Sequence, residues 1–178
     1  MKFNKKYEGY IEETTKLNLP DVKQSYDYDC GAKAVQAVLS YYSIKTKESD
    51  LIDQLGTNEK NGTDISSIKK VLKTYDLDVE MGQLSIEKLK ESLDKNYPVI
   101  ILLQSYPTKE TKKDWKNTNK NGHYVIAIGY DDDTFTFEDP WVYKRVKISN
   151  ENLLARWHDL NYGEIYKQYG VIIKKAKK

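Results

Sequence analysis

Apolar positions recur at helical spacing through the first half of the chain and gather into short runs in the second. Over 30–42, Val35, Val38, Leu39 and Tyr42 fall on one side at a period near 3.6, which predicts a helix. Asp27 and Asp29 stand just before it, where carboxylates favour a helix start. A short second helix carries Leu51, Ile52 and Leu55, with Ser49 as its cap and Gly56 as its stop. After the Asn61-Gly62 turn, Thr63 or Asp64 opens a third, whose inward stripe is Ile65, Ile68, Val71, Leu72 and Tyr75. Ser85 caps a fourth, with Ile86, Leu89 and Leu93 inward.

The pattern then changes to strands. Residues 98–104 form a continuous apolar run of the kind covered on both faces, and 105–121 read as a long polar loop. Residues 123–130 and 134–138 are two strands joined by a turn at 131–133, and 141–148 a third. Ser149 caps a helix through Trp157, and 170–174 make a last strand. Helices first and strands afterwards predict an α+β domain, a helical N-terminal half packed on a C-terminal antiparallel sheet. No repeat or linker divides residues 1–178, so one domain is expected, with 1–18 as a surface arm and 149–178 as a C-terminal extension.

Composition narrows the function classes. The 29 Lys and Arg against 27 Asp and Glu leave a net charge of +2, too little for a basic nucleic-acid face despite 15 Tyr. A mean hydropathy of −0.76 with frequent apolar periodicity describes a polar globular chain. The longest apolar run is too short to span a bilayer, so no membrane partner is expected. The N-terminus is charged throughout and shows no signal peptide, so a cytoplasmic location is expected; a segment trimmed from a longer or secreted protein would read the same. The single cysteine excludes an internal disulfide.

That cysteine, Cys30, opens the first predicted helix. Backbone N–H groups there carry partial positive charge, which favours a thiolate, and Gly31 beside it permits close approach. A small buried cysteine is the plainer alternative. His123 begins a strand and Asp139 ends the strand that returns from it, so the hairpin brings the two together. An imidazole oriented by a carboxylate is what a general base needs. Gln24 lies upstream of Cys30, where its amide can join the Cys30 N–H in holding a negative oxygen. His158 reads as structural or surface, and a zinc set of Cys30, His123, Asp139 and His158 lacks paired ligand spacing, so no metal or organic cofactor is called for. Asp131, Asp132 and Asp133 read as a charged turn, not a calcium loop. Trp115 and Trp141 can both line a cleft beside His123 and Asp139; Trp115 is the better ligand-contact candidate, and core packing is the safer account of Trp141.

These residues resemble a known family. Leu19-Pro20, Val22 and Gln24, then Asp29-Cys30-Gly31, then 37–42, with Gly122-His123-Tyr124-Val125 and Glu138-Asp139-Pro140, are similar to the bacteriocin-leader (double-glycine) peptidases, family thirty-nine of the papain-like cysteine class. The resemblance implies a papain-like fold, with Cys30 as nucleophile, His123 as base and acid, Asp139 as the orienting carboxylate and Gln24 as oxyanion donor. The partner it implies is a peptide or protein substrate, with Gly-rich sites the first to try. Unlike the best-known members, this sequence carries no membrane spans and no phosphate-binding GxxxxGK[ST] loop. Deamidation, transpeptidation or isopeptide cleavage on the same site, or a non-catalytic peptide-binding module, are the alternative functions.

Overall fold

Two runs of residues that are apolar on both faces, 99–103 and 171–173, need cover from both sides, and the fold supplies it. The computed structural model describes residues 17–106, 114–142 and 144–177. In chain order the elements are α1 (Cys30–Tyr41), α2 (Glu48–Leu55), α3 (Ile65–Thr74), β1 (Leu77–Gln83), α4 (Ile86–Asp94), β2 (Val99–Gln104), a 3₁₀ turn (Trp115–Asn117), β3 (Gly122–Tyr130), β4 (Thr134–Asp139), β5 (Lys144–Ser149), α5 (Asn150–Arg156), β6 (His158–Asn161), β7 (Glu164–Lys167) and β8 (Tyr169–Lys175). Six strands form one antiparallel sheet in the order β1-β8-β2-β3-β4-β5, and β6 and β7 form a separate hairpin. All six residues of β2 are buried. Helix α1 packs on β3, α3 on β1, and α4 on β2 and β3. No helix among the described residues is long and apolar enough to cross a membrane.

The α+β architecture expected from the pattern is the one observed, and several local signals act as anticipated. The Asp64 carboxylate accepts from Ser66 N, Ser85 Oγ from Lys88 N and Ser149 Oγ from Asn152 N, so each caps its helix. Gly56 closes α2 at a φ of 65°. Ser49 is not a cap, because α2 begins at Glu48 behind Lys47. Asp29 precedes α1 but makes no capping bond to it. Its carboxylate turns back instead and accepts from Ser25 N and Tyr26 N.

Two expectations about the ends of the domain are corrected. The 149–178 segment is no extension: β8 lies between β1 and β2, its Val171, Ile172 and Ile173 buried. The surface arm cannot reach residue 18, since Leu17 and Leu19 are core residues and Leu17 N bonds Ile128 O at 2.9 Å. The rest of that arm lies outside the described residues. Two elements were not anticipated. β1 offers only two buried alternating positions, Leu77 and Val79, before the pattern breaks at Met81-Gly82. The β6–β7 hairpin is built largely of polar residues and carries no apolar alternation.

Trp157 ties the C-terminal segment into the core. It is 1% exposed, its indole N–H donates to Tyr169 O at 2.9 Å, and its carbonyl accepts from Gln168 N at 2.7 Å. Truncation to alanine removes that bond and leaves a large cavity, so Trp157→Ala is expected to cost about 3–5 kcal/mol, read from the urea midpoint of unfolding. A loss below about 1 kcal/mol would mean that the C-terminal segment is not part of the cooperative core.

Candidate active site

Cys30, half-buried, is the first residue of α1, and the start of that helix is pressed onto the loop leading to α3. A Cβ on Gly31 would lie 2.6 Å from Thr63 Cβ, so only glycine lets these segments meet. Across from Cys30, the β3–β4 register pairs Ile126 with Glu138. Continuing it makes His123 and Asp139 diagonal neighbours on one face of the sheet. His123 Nε2 stands 2.7 Å from Asp139 Oδ1, and the ring lines one cavity with Cys30, close enough for the sulfur to favour its protonated form. With Nε2 engaged by Asp139, Nδ1 is the nitrogen left to face sulfur.

Asp139 is held by more than the histidine. Tyr106 Oη donates to its Oδ2 at 2.5 Å, and Trp141 N donates to Oδ1 at 2.9 Å. Burial alone would raise its carboxyl, but the bonds from His123, Tyr106 and Trp141 hold it below the usual carboxylate range. Burial alone would likewise lower His123, but its hydrogen bond to Asp139 and the nearby Cys30 sulfur outweigh it and lift the imidazole to about 9.

Gln24 sits in a loop fastened at both ends. Its backbone N–H donates to Pro140 O at 2.9 Å, tying the loop to the corner that carries Asp139. Asp29 closes the other end through Ser25 N and Tyr26 N. The Gln24 side chain is buried; Nε2 donates one N–H to Tyr26 O at 2.6 Å, and Oε1 is buried without a partner among the described residues. Asp29 is itself fully buried; burial, with Glu48 alongside, raises its carboxyl. Ser25 Oγ and the Lys33 ammonium hold Glu48.

Two cavities open on Cys30. The smaller, about 220 Å³, is walled by Gln24, Tyr106, His123 and Trp141. The larger, about 550 Å³, runs the other way between Gly62 and Thr63 on one wall and Gly122, Tyr124 and Asp159 on the other. The two tryptophans exchange their expected places. Trp141 is 43% exposed beside Tyr106, not in the core. Trp115 is half-buried under the Arg156 guanidinium, 4.7 Å from its ring centre, and lines neither cavity. His158 bonds Trp115 O at 2.8 Å, and among the described residues no three His, Cys, Asp or Glu converge as metal ligands. The Asp131–133 segment is a hairpin turn, with Asp131 Oδ1 accepting from Asp133 N and Thr134 N. Sequence reasoning missed Tyr106. It lies alone at the end of β2 with a φ of 53°, and no spacing links it to Asp139.

A helical half presenting a cysteine to a histidine on an antiparallel sheet defines an α+β domain of the papain-like type. The chain belongs to the Peptidase_C39 like family, whose model matches residues 16–165. Three solved structures share its fold. A putative C39-like peptidase from Bacillus anthracis is 21% identical, with a TM-score of 0.68 over 93% of this chain and 98% of that one. A double glycine motif protease from an AMS/PCAT transporter, in complex with the leader peptide, is 20% identical, with a TM-score of 0.65 over 93% and 96%. The peptidase domain of Streptococcus ComA, a bi-functional ABC transporter, is 20% identical, with a TM-score of 0.64 over 86% and 96%. No curated protein matches the chain.

Two measurements test the electrostatics. A histidine held at about 9 when folded and 6.5 when free contributes stability that is complete below pH 6.5 and is lost as pH rises toward 9. The stability difference between wild type and His123→Gln is therefore expected to shrink by about 3 kcal/mol across that interval, read from urea midpoints at each pH. In Asp139→Asn one of the two groups that lift the ring is gone while burial and Cys30 remain, so the His123 ring is expected to titrate well below 9 by NMR. A midpoint still near 9 would remove Asp139 as the cause.

Proposed function

We propose that the chain is a cysteine peptidase hydrolysing peptide bonds through Cys30, His123, Asp139 and Gln24. The observation that carries the reading is His123 Nε2 held 2.7 Å from Asp139 Oδ1 while its ring and Cys30 line the same cavity. In this reading the sulfur, as thiolate, attacks the scissile carbonyl. The second N–H of the Gln24 amide and the Cys30 backbone N–H hold the oxyanion. His123 gives its proton to the departing amine and then takes one from the water that releases the acyl-enzyme. Asp139 keeps the ring in the tautomer that faces sulfur.

The wall beside Cys30 supports small residues next to the scissile bond. Thr63 is packed against Gly31, and the buried Tyr124 side chain reaches across to donate to Thr63 O at 3.0 Å, which fixes the wall next to the sulfur. Gly-Gly sites are therefore the first substrates to try, and one neighbour of this fold is a double glycine motif protease solved with a leader peptide.

Peptides spanning Gly-Gly sites are expected to be cleaved by the wild type and not by Cys30→Ala, with the two unfolding alike. Gln24→Ala is expected to lower turnover by about 10²–10³. Near-normal turnover in that variant would take Gln24 out of the oxyanion role. Iodoacetamide labelling of Cys30 no faster than free cysteine near neutral pH, with no cleavage, would favour a peptide-binding module over an enzyme.

A further inference from the structure

The two cavities at Cys30 are chemically unequal. His123 lines the smaller one, so the amine that it protonates departs there, and the acyl half of the substrate occupies the larger one. Asp27, Glu59, Lys60 and Lys120 on the larger rim are exposed, two of each sign and all solvated. Asp159 differs. It is 6% exposed, and no lysine or arginine among the described residues forms an ion pair with it.

Its carboxylate is met by two neutral donors, the Gln104 amide and the Leu160 N–H, and by no cation among the described residues. Gln104 Nε2 donates to Oδ1 at 2.7 Å and to His158 O at 3.0 Å, while Gln104 Oε1 accepts from Asn121 N at 3.0 Å. That amide is fully committed and cannot turn to offer Asp159 more. The second oxygen, Oδ2, lies over the backbone of Gly122, where a Cβ would meet it at 2.2 Å. β6 is anchored besides, since Asn161 accepts from Ile65 N and donates to Thr63 O, each at 3.1 Å. A buried carboxylate without a counter-charge is costly until a cation reaches it, and burial here raises Asp159 to about 6.

We propose that Asp159 reads the acyl half of the substrate, its carboxylate accepting a cationic nitrogen carried before the scissile bond. This rests on the peptidase reading and adds a selectivity to it. The cation comes either from a lysine or arginine side chain or from a free substrate N-terminus. The chemistry is the same, and the test separates the sources.

The test uses Gly-Gly peptides in which each of the four residues preceding the Gly-Gly pair is in turn lysine or its neutral near-isostere norleucine. Each is made with a free and with an acetylated N-terminus. Wild type is expected to favour the charged peptide in kcat/KM by about tenfold or more, at one position or at the free terminus. Asp159→Asn keeps the Gln104 bond, and is expected to bring that ratio near one. Should the variant fail to fold, the wild type alone suffices, because its preference is expected to fade as pH falls below about 6. Equal cleavage of all the peptides would overturn the assignment and leave the peptidase standing. If no peptide is cut, chloromethyl ketones of the same sequences are used to label Cys30. A preference for the charged reagent that Asp159→Asn abolishes would then uphold Asp159 while ending the hydrolase reading, and no labelling would end both.

Discussion

An imidazole that carries a proton while buried is an expensive arrangement, and the hydrogen bond from His123 to Asp139 is what sustains it. Desolvation acts against the charged ring, and the carboxylate must outweigh it. Asp139 is in turn kept ionised by Tyr106 and by the Trp141 N–H. The next residue, Pro140, offers its carbonyl to Gln24 N, so the corner that steers the histidine also fixes the loop bearing the proposed oxyanion donor. Val22 N bonds Glu138 Oε1 just upstream, a second tie between the same segments. Disturbing this corner would disturb two parts of the proposed chemistry together.

The cleft is asymmetric for reasons rooted in topology. On one side stand aromatic residues, Tyr106 edge-on to His123 and Trp141 tilted against Tyr106. On the other stands a polar wall supplied by the β6–β7 hairpin and clamped to the loop before α3 through Asn161. A substrate lying across Cys30 would therefore meet an aromatic surface in one direction and a hydrogen-bonding surface in the other. Gly31 and Gly122 are where the walls come closest, each lacking a Cβ that would strike Thr63 or Asp159.

Local signals made much of this legible in the sequence. The apolar stripe of α1, the caps Asp64, Ser85 and Ser149 and the unbroken run of β2 are short-range features, and each forms as its residues dictate. The His123–Asp139 pair was legible because a hairpin fixes its own register. What stayed hidden depends on contacts between residues distant in sequence. Tyr106 meets Asp139 from 33 positions away, and Gln104 meets Asp159 from 55. Trp115 and Trp141 were exchanged because a tryptophan in a polar loop can still be covered, here by Arg156, while one beside strands can face open space.

The seat of β8 between β1 and β2 has a consequence for how the molecule comes into being. A ribosome delivers Cys30 early and His123 much later, yet the sheet that positions His123 has a gap until residues 169–175 arrive. Long-range pairings of this kind form slowly and together. The meeting of Cys30 with His123 therefore depends on a strand that is delivered after both of them.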